Sequence, residues 1–223
     1  TLAGFLAFCA ATPAAAEPKV VATIKPLHSL IAAVMKDVGT PSLIIEGAGS
    51  PHTYALKPSQ AANLSRADLV FWFGRDLETF MEKPVQTIAS KAKVIEILET
   101  AGLTKLPFRD LESFSSAEHA HYEKKHDEHA HDEKKHDEHG HHDHHHGEFD
   151  PHVWLDPENA KAIVTVIRDT LARTDAKHAA IYKSNASATI ERLDNLTAEI
   201  RKSLSHADDH KFITFHDAYQ YFE

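Results

Sequence analysis

The segment Lys19–Lys36, KVVATIKPLHSLIAAVMK, decides the predicted fold. It opens with a short β-branched run, KVVATI, which is typical of a buried parallel strand. The apolar residues that follow, from Lys25 to Lys36, recur at helical spacing, so a helix is expected directly after the strand. A strand that passes straight into a helix is the start of a βαβ unit.

The same alternation recurs through the first half of the chain. Three further strands are predicted at Ser42–Ile45 (SLII), Asp68–Phe73 (DLVFWF) and Lys93–Ile97 (KVIEI). Helices are expected between them at Pro58–Arg66 and Leu77–Ser90, and Pro84 is expected to kink or break the second of these. Strands that alternate with helices predict an α/β fold with a parallel sheet.

The second half of the chain reads as helical. Asp156 followed by Pro157 is an N-cap and a first-turn proline, so a helix is expected from there to about Arg173. The next stretch, Asp175–His206, has no Gly or Pro for about thirty residues, or roughly 45 Å of helix. Such a helix is either a strut between two lobes or an ordinary surface helix, and the pattern leaves both open.

The end of the chain has the pattern of a second lobe. Lys211–Phe215 (KFITF) is predicted to be a strand that ends at His216, and DAYQYFE follows it. A strand with the start of a helix after it is a poor place for a domain to end. We therefore expect a second α/β lobe to begin near residue 207 and to be truncated in this chain.

A histidine-rich repeat occupies Glu118–His146, EHAHYEKKHDEHAHDEKKHDEHGHHDHHH, and holds twelve of the nineteen histidines. It has almost no apolar residue, so a disordered loop is expected at 117–148. His-rich tracts are typical of metal binding, although a solubilising linker is the alternative. The candidate weak ligands are His119, His121, His126, His129, His131, His136, His139, His141, His142, His144, His145 and His146.

Charge and the N-terminus limit the partners and the location. The net charge is −9, and −7 of it lies in Glu118–Asp150, so no basic patch favours nucleic acid. The first sixteen residues, TLAGFLAFCAATPAAA, resemble the end of a secretory signal peptide, with a buried helix as the alternative. Their apolar run is too short to span a membrane, so an exported protein that is not membrane-embedded is expected.

Three isolated histidines lie outside the repeat. His52 is in a turn after a predicted strand, His152 precedes a predicted helix, and His216 ends a predicted strand. Ligands bind outside the carboxyl ends of the strands in open α/β sheets. Three histidines with one further group suit tetrahedral zinc, but this spacing matches neither a zinc finger nor an H-E-x-x-H helix.

Four local sequences carry a resemblance to a known family. SPHTYALKPSQ, ADLVFWFG, DPHVWLDPENA and FHDAYQYFE resemble the metal-binding receptors of bacterial ABC importers, most closely those that bind zinc in the periplasm. The resemblance covers Lys19–Glu223 and implies two α/β lobes joined by a long rigid helix, with Zn²⁺ held between them. It implies His52, His152 and His216 as the ligands and a membrane permease as the partner, with no catalysis.

The resemblance also implies a division of the chain. We expect a signal remnant at 1–16, an N-terminal lobe at 17–174 and a connecting helix at 175–206. The start of the C-terminal lobe is expected at 207–223, and the protein is expected to be a monomer.

The chain departs from the family pattern before the first ligand. Some zinc receptors have Glu there, where this chain has Pro51, so water or a group of the second lobe is expected as the fourth ligand. Relatives that carry manganese usually have a carboxylate at the third ligand position. The imidazole of His216 at that position favours zinc. His28 and Asp217 are candidates for orienting a ligand, with a helix-face histidine and a helix cap as the alternatives.

Other functions remain open from the sequence. A manganese or iron receptor would be the same class of protein with another ion. A His-rich metal storage or chaperone protein would use the repeat as its main binding element. A zinc hydrolase would need a general base, and the chain has no H-E-x-x-H motif and no Glu close to a ligand histidine that is an obvious general base.

Overall fold

A computed structural model describes residues 17–109, 147–206, 213–214 and 217–222. The predicted signal remnant at 1–16 and the His-rich repeat lie outside these residues, as does His216. Only Ile213 and Thr214 of the predicted strand Lys211–Phe215 lie within them. The start of a second lobe therefore stays a prediction.

A parallel sheet of four strands organises the described residues. The strands are β1 (Val20–Ala22), β2 (Ser42–Leu43), β3 (Leu69–Trp72) and β4 (Lys93–Glu96), in the order β2-β1-β3-β4. All three pairings are parallel, which confirms the predicted α/β class. The two central strands, β1 and β3, are buried along their whole length. This explains why they read as continuous apolar runs and not as alternating patterns.

Five α-helices accompany the sheet in the described residues. They are α1 (Lys25–Val34), α2 (Pro58–Leu64), α3 (Glu82–Thr87), α4 (Pro157–Thr174) and α5 (Ala179–Leu204). Short 3-10 helices lie at Thr79–Met81, Ile97–Glu99, Val153–Leu155 and Ala176–His178. The predicted helices α1, α2 and α4 are confirmed, with ends within two residues of the expected ones.

The third helix differs from the prediction. Leu77–Ser90 was expected to be one helix with a kink or break at Pro84, but α3 covers only Glu82–Thr87, after a 3-10 turn. Pro84 is the third residue of α3. In the first turn a backbone N–H has no partner within the helix, so proline is tolerated there. The proline therefore lies at the start of a short helix and does not break a longer one.

The apolar faces of α1, α4 and α5 pack together beside the sheet. Leu27 and Ile31 of α1 and Ile163 and Ile167 of α4 have no exposed surface. The amide of Asn185, on α5, donates to the backbone oxygens of Val34 and Lys36 at 3.1 and 2.7 Å. These contacts fix the first half of α5 against the end of α1.

The second half of α5 has few buried residues. The buried residues of this 26-residue helix are Tyr182, Ala186 and Thr189, all in its first half. Further along, Leu196 and Leu204 are 45% and 43% exposed. The predicted long helix is confirmed, and at 1.5 Å per residue it extends about 39 Å. None of the helices in the described residues is both long and apolar enough to cross a membrane.

Candidate metal centre

His152 stands at the start of two consecutive helical segments. It is the N-cap of the 3-10 helix Val153–Leu155, and Val153 is fully buried. Directly after this turn Asp156 caps α4, with its Oδ1 accepting from the Glu158 N–H at 2.8 Å. Two consecutive helix starts thus fix the backbone around His152, as the Asp156-Pro157 pair predicted for α4.

Asp150 orients the His152 ring. Oδ1 of Asp150 lies 2.6 Å from Nδ1 of His152 and also accepts from the His152 backbone N–H at 3.0 Å. The two residues are 2% and 6% exposed. A buried carboxylate at Nδ1 favours the tautomer with its proton on Nδ1, which leaves the lone pair on Nε2. This carboxylate–histidine pairing is the arrangement that orients metal-binding histidines in proteins.

His52, which lies 100 positions earlier in the sequence, is close to His152 in the structure. It lies in the exposed turn between β2 and α2, and its backbone N–H donates to Oγ of Ser50 at 3.3 Å. The centroids of the His52 and His152 rings are 5.5 Å apart, with 55° between the ring planes. Two imidazoles this close fit a shared ion with Zn–N distances of ~2.0–2.1 Å.

The turn that carries His52 is anchored by one buried amide. Nε2 of Gln60 in α2 donates to the Ile44 carbonyl at 2.6 Å and to the Tyr54 hydroxyl at 2.8 Å. Its Oε1 accepts from the Lys57 N–H at 2.9 Å. Gln60 therefore ties the end of β2 to the residues after His52, while the histidine itself stays at the surface.

Two tilted aromatic ring contacts extend from His152 to the end of β3. The ring of Trp154 lies 5.3 Å from that of His152 and 4.8 Å from that of Phe73, measured between centroids. Phe73 directly follows β3, so these aromatic contacts lie at the carboxyl edge of the parallel sheet. That edge is where open α/β sheets bind their ligands.

A buried carboxylate, that of Glu78, holds the backbone of Phe73. Oε2 of Glu78 accepts from the Phe73 backbone N–H at 2.6 Å, and Glu78 has no exposed surface. Burial raises the pKa of Glu78 from 4.5 to about 7, against the lowering effect of its hydrogen bonds. Neither Glu78 nor Asp150 was predicted from the sequence as a support of the site.

The remaining candidates have other neighbours. Nε2 of His28 lies 3.1 Å from the backbone oxygen of Pro41, and Oδ1 of Asp217 lies 3.8 Å from Nε of Arg109. No described contact joins either to His52 or His152, so their orienting role stays a prediction. His216 lies outside the described residues. Within 17–109, 147–206 and the short C-terminal pieces, no group of three or more metal-type donors is found.

The family of the chain follows from comparison with known proteins. The model of the family ZnuA, described as "Zinc-uptake complex component A periplasmic", matches residues 20–223. This chain belongs to that family. The matched range contains His52, His152 and His216, whose role as ligands stays a prediction.

Curated relatives of the family are similar over nearly the whole chain. The high-affinity zinc uptake system protein ZnuA of Brucella abortus (strain 2308) is 47% identical over 98% of this chain. The protein of the same name from Paracoccus denitrificans (strain Pd 1222) is 40% identical over 96%. The alignments span 68% and 65% of those two relatives, so this chain is about two thirds of their length.

A solved structure of a relative has the same fold. The Zn(II)-bound ZnuA-like domain of Streptococcus pneumoniae AdcA superposes with a TM-score of 0.66 at 25% identity. The superposition covers 92% of this chain and 62% of that one. The α/β fold with its long helix is therefore a fold shared with a zinc-bound protein.

Proposed function

We propose that this protein is a zinc-binding receptor that captures Zn²⁺ in the periplasm and delivers it to the permease of an ABC importer. The observation that carries the proposal is the close pair of His52 and His152, with the buried carboxylate of Asp150 behind His152. Membership of a zinc-uptake family and the zinc-bound state of the relative from Streptococcus pneumoniae support the choice of ion.

The proposed ligands are His52, His152 and His216, with solvent or a group beyond the described residues in the fourth position. Three imidazoles favour zinc over manganese, which prefers carboxylate oxygen. Zinc is the cargo here, so the site binds and releases and we propose no catalytic step. Because the imidazoles must be neutral to bind, protons compete and the affinity is expected to fall below about pH 6.

The proposed organisation keeps the domain limits of the sequence analysis. A signal peptide at 1–16 directs export, and the lobes at 17–174 and from 207 onward flank the helix at 175–206. The exposed second half of α5 supports this division, since a helix between two lobes must extend beyond the core of the first. We propose that the receptor is a monomer.

The His-rich repeat is proposed to hold weaker auxiliary sites. Its twelve histidines, spread over a strongly acidic segment, attract cations and pass them to the tight site. Deletion of residues 118–146 is expected to lower the number of zinc ions bound and to leave one tight ion. Unchanged stoichiometry in the deletion variant would contradict this role. Several ions of similar affinity in the wild type would favour metal storage.

The central experiment is calorimetric titration of the full-length mature protein with zinc. The triple variant His52→Ala/His152→Ala/His216→Ala is expected to lose one tight site and to keep the weak ones. The matched control is His178→Ala/His206→Ala, which removes two described histidines outside the proposed site and is expected to bind as the wild type does. A tight site that survives the triple change would show that the assignment is wrong.

A further inference from the structure

Three distant segments meet at one phenol. The hydroxyl of Tyr221 donates to the Asp150 backbone oxygen at 2.8 Å and accepts from the Leu106 N–H at 2.8 Å. Leu106 and Asp150 are also joined to each other, because the Asp150 N–H donates to the Leu106 carbonyl at 2.9 Å. Tyr221 is only 9% exposed. The hydroxyl therefore completes a closed set of three hydrogen bonds, which we call the Tyr221 junction.

Neighbouring contacts extend the junction on both sides. Pro107 and Phe149 form an antiparallel bridge, and Nε2 of Gln220 donates to the Pro107 carbonyl at 2.9 Å. Nε of Arg109 lies 3.8 Å from Oδ1 of Asp217. Residues 217–222 thus contact the two chain segments that precede and follow the His-rich repeat.

The junction touches the metal site through Asp150. The backbone of Asp150 is held by Tyr221, while its side chain accepts from Nδ1 of His152. Tyr221 itself follows His216 by five positions in the sequence. One hydroxyl thereby ties the support of one proposed ligand to the segment that follows another.

We propose that Tyr221 is a positioning residue for zinc binding, whose hydroxyl sets the Asp150–His152 pair against the chain segment that follows His216. This rests on the proposed function. Among the described residues, the hydroxyl contacts backbone atoms of Leu106 and Asp150 and no atom of His52 or His152. It acts because the oxygen satisfies one backbone donor and one backbone acceptor at once, on the residue that orients His152.

The size of the effect follows from the two hydrogen bonds that the hydroxyl makes. Tyr221→Phe keeps the ring and its packing, but leaves the Leu106 N–H without its acceptor and the Asp150 carbonyl without its donor. Changes in the groups that orient a metal ligand typically weaken affinity by about 10–100-fold. An indirect support of that kind is expected at the lower end, about tenfold, seen mainly as faster zinc dissociation.

The test compares Tyr221→Phe with Tyr219→Phe in the full-length protein. Tyr219 is in the same segment and 45% exposed, so its variant controls for the loss of a hydroxyl there. Zinc affinity of the tight site is expected to fall about tenfold in Tyr221→Phe and to stay unchanged in Tyr219→Phe. The visible absorption of bound Co²⁺ is expected to change only in Tyr221→Phe, because it reports the geometry of the ligands.

A background variant separates positioning from general stability. In His152→Ala the ring that Asp150 orients is gone, so Tyr221→Phe is expected to cause no further loss of zinc affinity. An equal loss in both backgrounds would overturn the proposal, since a general structural effect does not depend on His152. If Tyr221→Phe does not fold, Gln220→Ala replaces it, because it removes the exposed bond to Pro107 and is expected to weaken binding a few-fold.

The outcomes distinguish this inference from the proposed function. If His152→Ala weakens tight binding while Tyr221→Phe and Gln220→Ala bind as the wild type does, the positioning role is overturned and the receptor site stands. If His152→Ala keeps the tight site, the site assignment fails, and the positioning role fails with it.

Discussion

His52 and His152 face each other, but the fold holds them in opposite ways. His152 is 6% exposed, bonded to a buried carboxylate, and placed at the start of a 3-10 helix that leads directly into the capped start of α4. His52 is exposed, and its own backbone bond is a 3.3 Å contact with the side chain of Ser50. The support of its turn comes from Gln60, eight positions later.

The difference indicates a division of roles between the two ligands. A ligand that is oriented before the metal arrives loses little conformational freedom on binding. A ligand whose side chain is exposed keeps more rotamer freedom before the metal arrives, and the loss of that freedom on binding reduces its net contribution. We therefore expect His152 to supply most of the affinity and His52 to complete the coordination once the ion is in place.

The largest expected effect is the loss of His152. Structural zinc sites bind with about 10–16 kcal/mol from four ligands, or about 2.5–4 kcal/mol for each ligand, and a well-oriented ligand is expected near the upper end, about a thousandfold in affinity. His152→Ala is expected to weaken zinc by that factor, and His52→Ala by about a hundredfold, because ordering offsets part of its gain. Competition with a chromophoric chelator measures both. Equal losses would remove the distinction between the two histidines.

The next largest effect concerns Glu78, whose carboxylate holds the backbone of Phe73. Its pKa in the folded state is about 7, above the ordinary 4.5, so the folded state binds this proton more tightly than the unfolded state does. The contribution of Glu78 to stability is therefore full below about pH 4.5 and is lost as the pH rises toward about 7. Glu78→Gln removes this ionisation. The free energy of unfolding of the variant, measured relative to that of the wild type, is expected to be up to about 3 kcal/mol higher at pH 8 than at pH 4.

Urea unfolding of the metal-free protein at the two pH values measures the gain. Exposed Glu82 provides the control, and Glu82→Gln is expected to show no such pH-dependent difference. A Glu78→Gln variant that parallels the wild type at both pH values would show that the carboxyl is not held in a buried, protonated form.

The sequence predicted the framework well, for identifiable reasons. Buried parallel strands read as unbroken apolar runs, so β1 and β3 were visible without any alternation. The Asp156-Pro157 pair is a local signal for a helix start, and the N-cap of α4 is found where it was expected. Local rules suffice for features of this kind, because the residues that decide them are neighbours in the chain.

The site was predictable only in part. The pairing of His52 with His152 depends on how the ends of the sheet and the start of α4 come together, and spacing alone carried little weight. The prediction that His52 and His152 share a metal ion came from the family resemblance. Glu78 gave no local signal, since the burial of a glutamate after β3 is decided by tertiary packing. Asp150 carried a weak signal, an acidic residue two positions before a proposed ligand.

A smaller effect is expected from Asp150, which supports only His152. Asp150→Asn keeps the shape but removes the charge that favours the Nδ1 proton, so zinc affinity is expected to fall about 10–100-fold. The chain offers a matched control, because Oδ2 of Asp175 lies 2.6 Å from Nδ1 of His178 in the same kind of pair. That pair lies at the far end of the 18-residue α4, about 27 Å away.

Asp175→Asn is therefore expected to leave zinc affinity unchanged, and calorimetry of the two variants side by side decides the matter. Equal weakening by both would mean that charge in general, and not the orientation of His152, explains the result. No weakening by either would remove Asp150 from the support of the site.

The smallest expected effect tests the helix start behind His152. Asp156→Ala removes the N-cap of α4 and is expected to lower the free energy of unfolding by about 1 kcal/mol, while Asp156→Ser keeps a capping oxygen and most of the stability. If the capped helix start fixes the backbone of His152, the alanine variant should also bind zinc a few-fold more weakly, through faster dissociation. Urea unfolding and stopped-flow zinc release measure the two effects. A loss of stability with unchanged zinc release would show that the Asp150 pair orients His152 without help from α4.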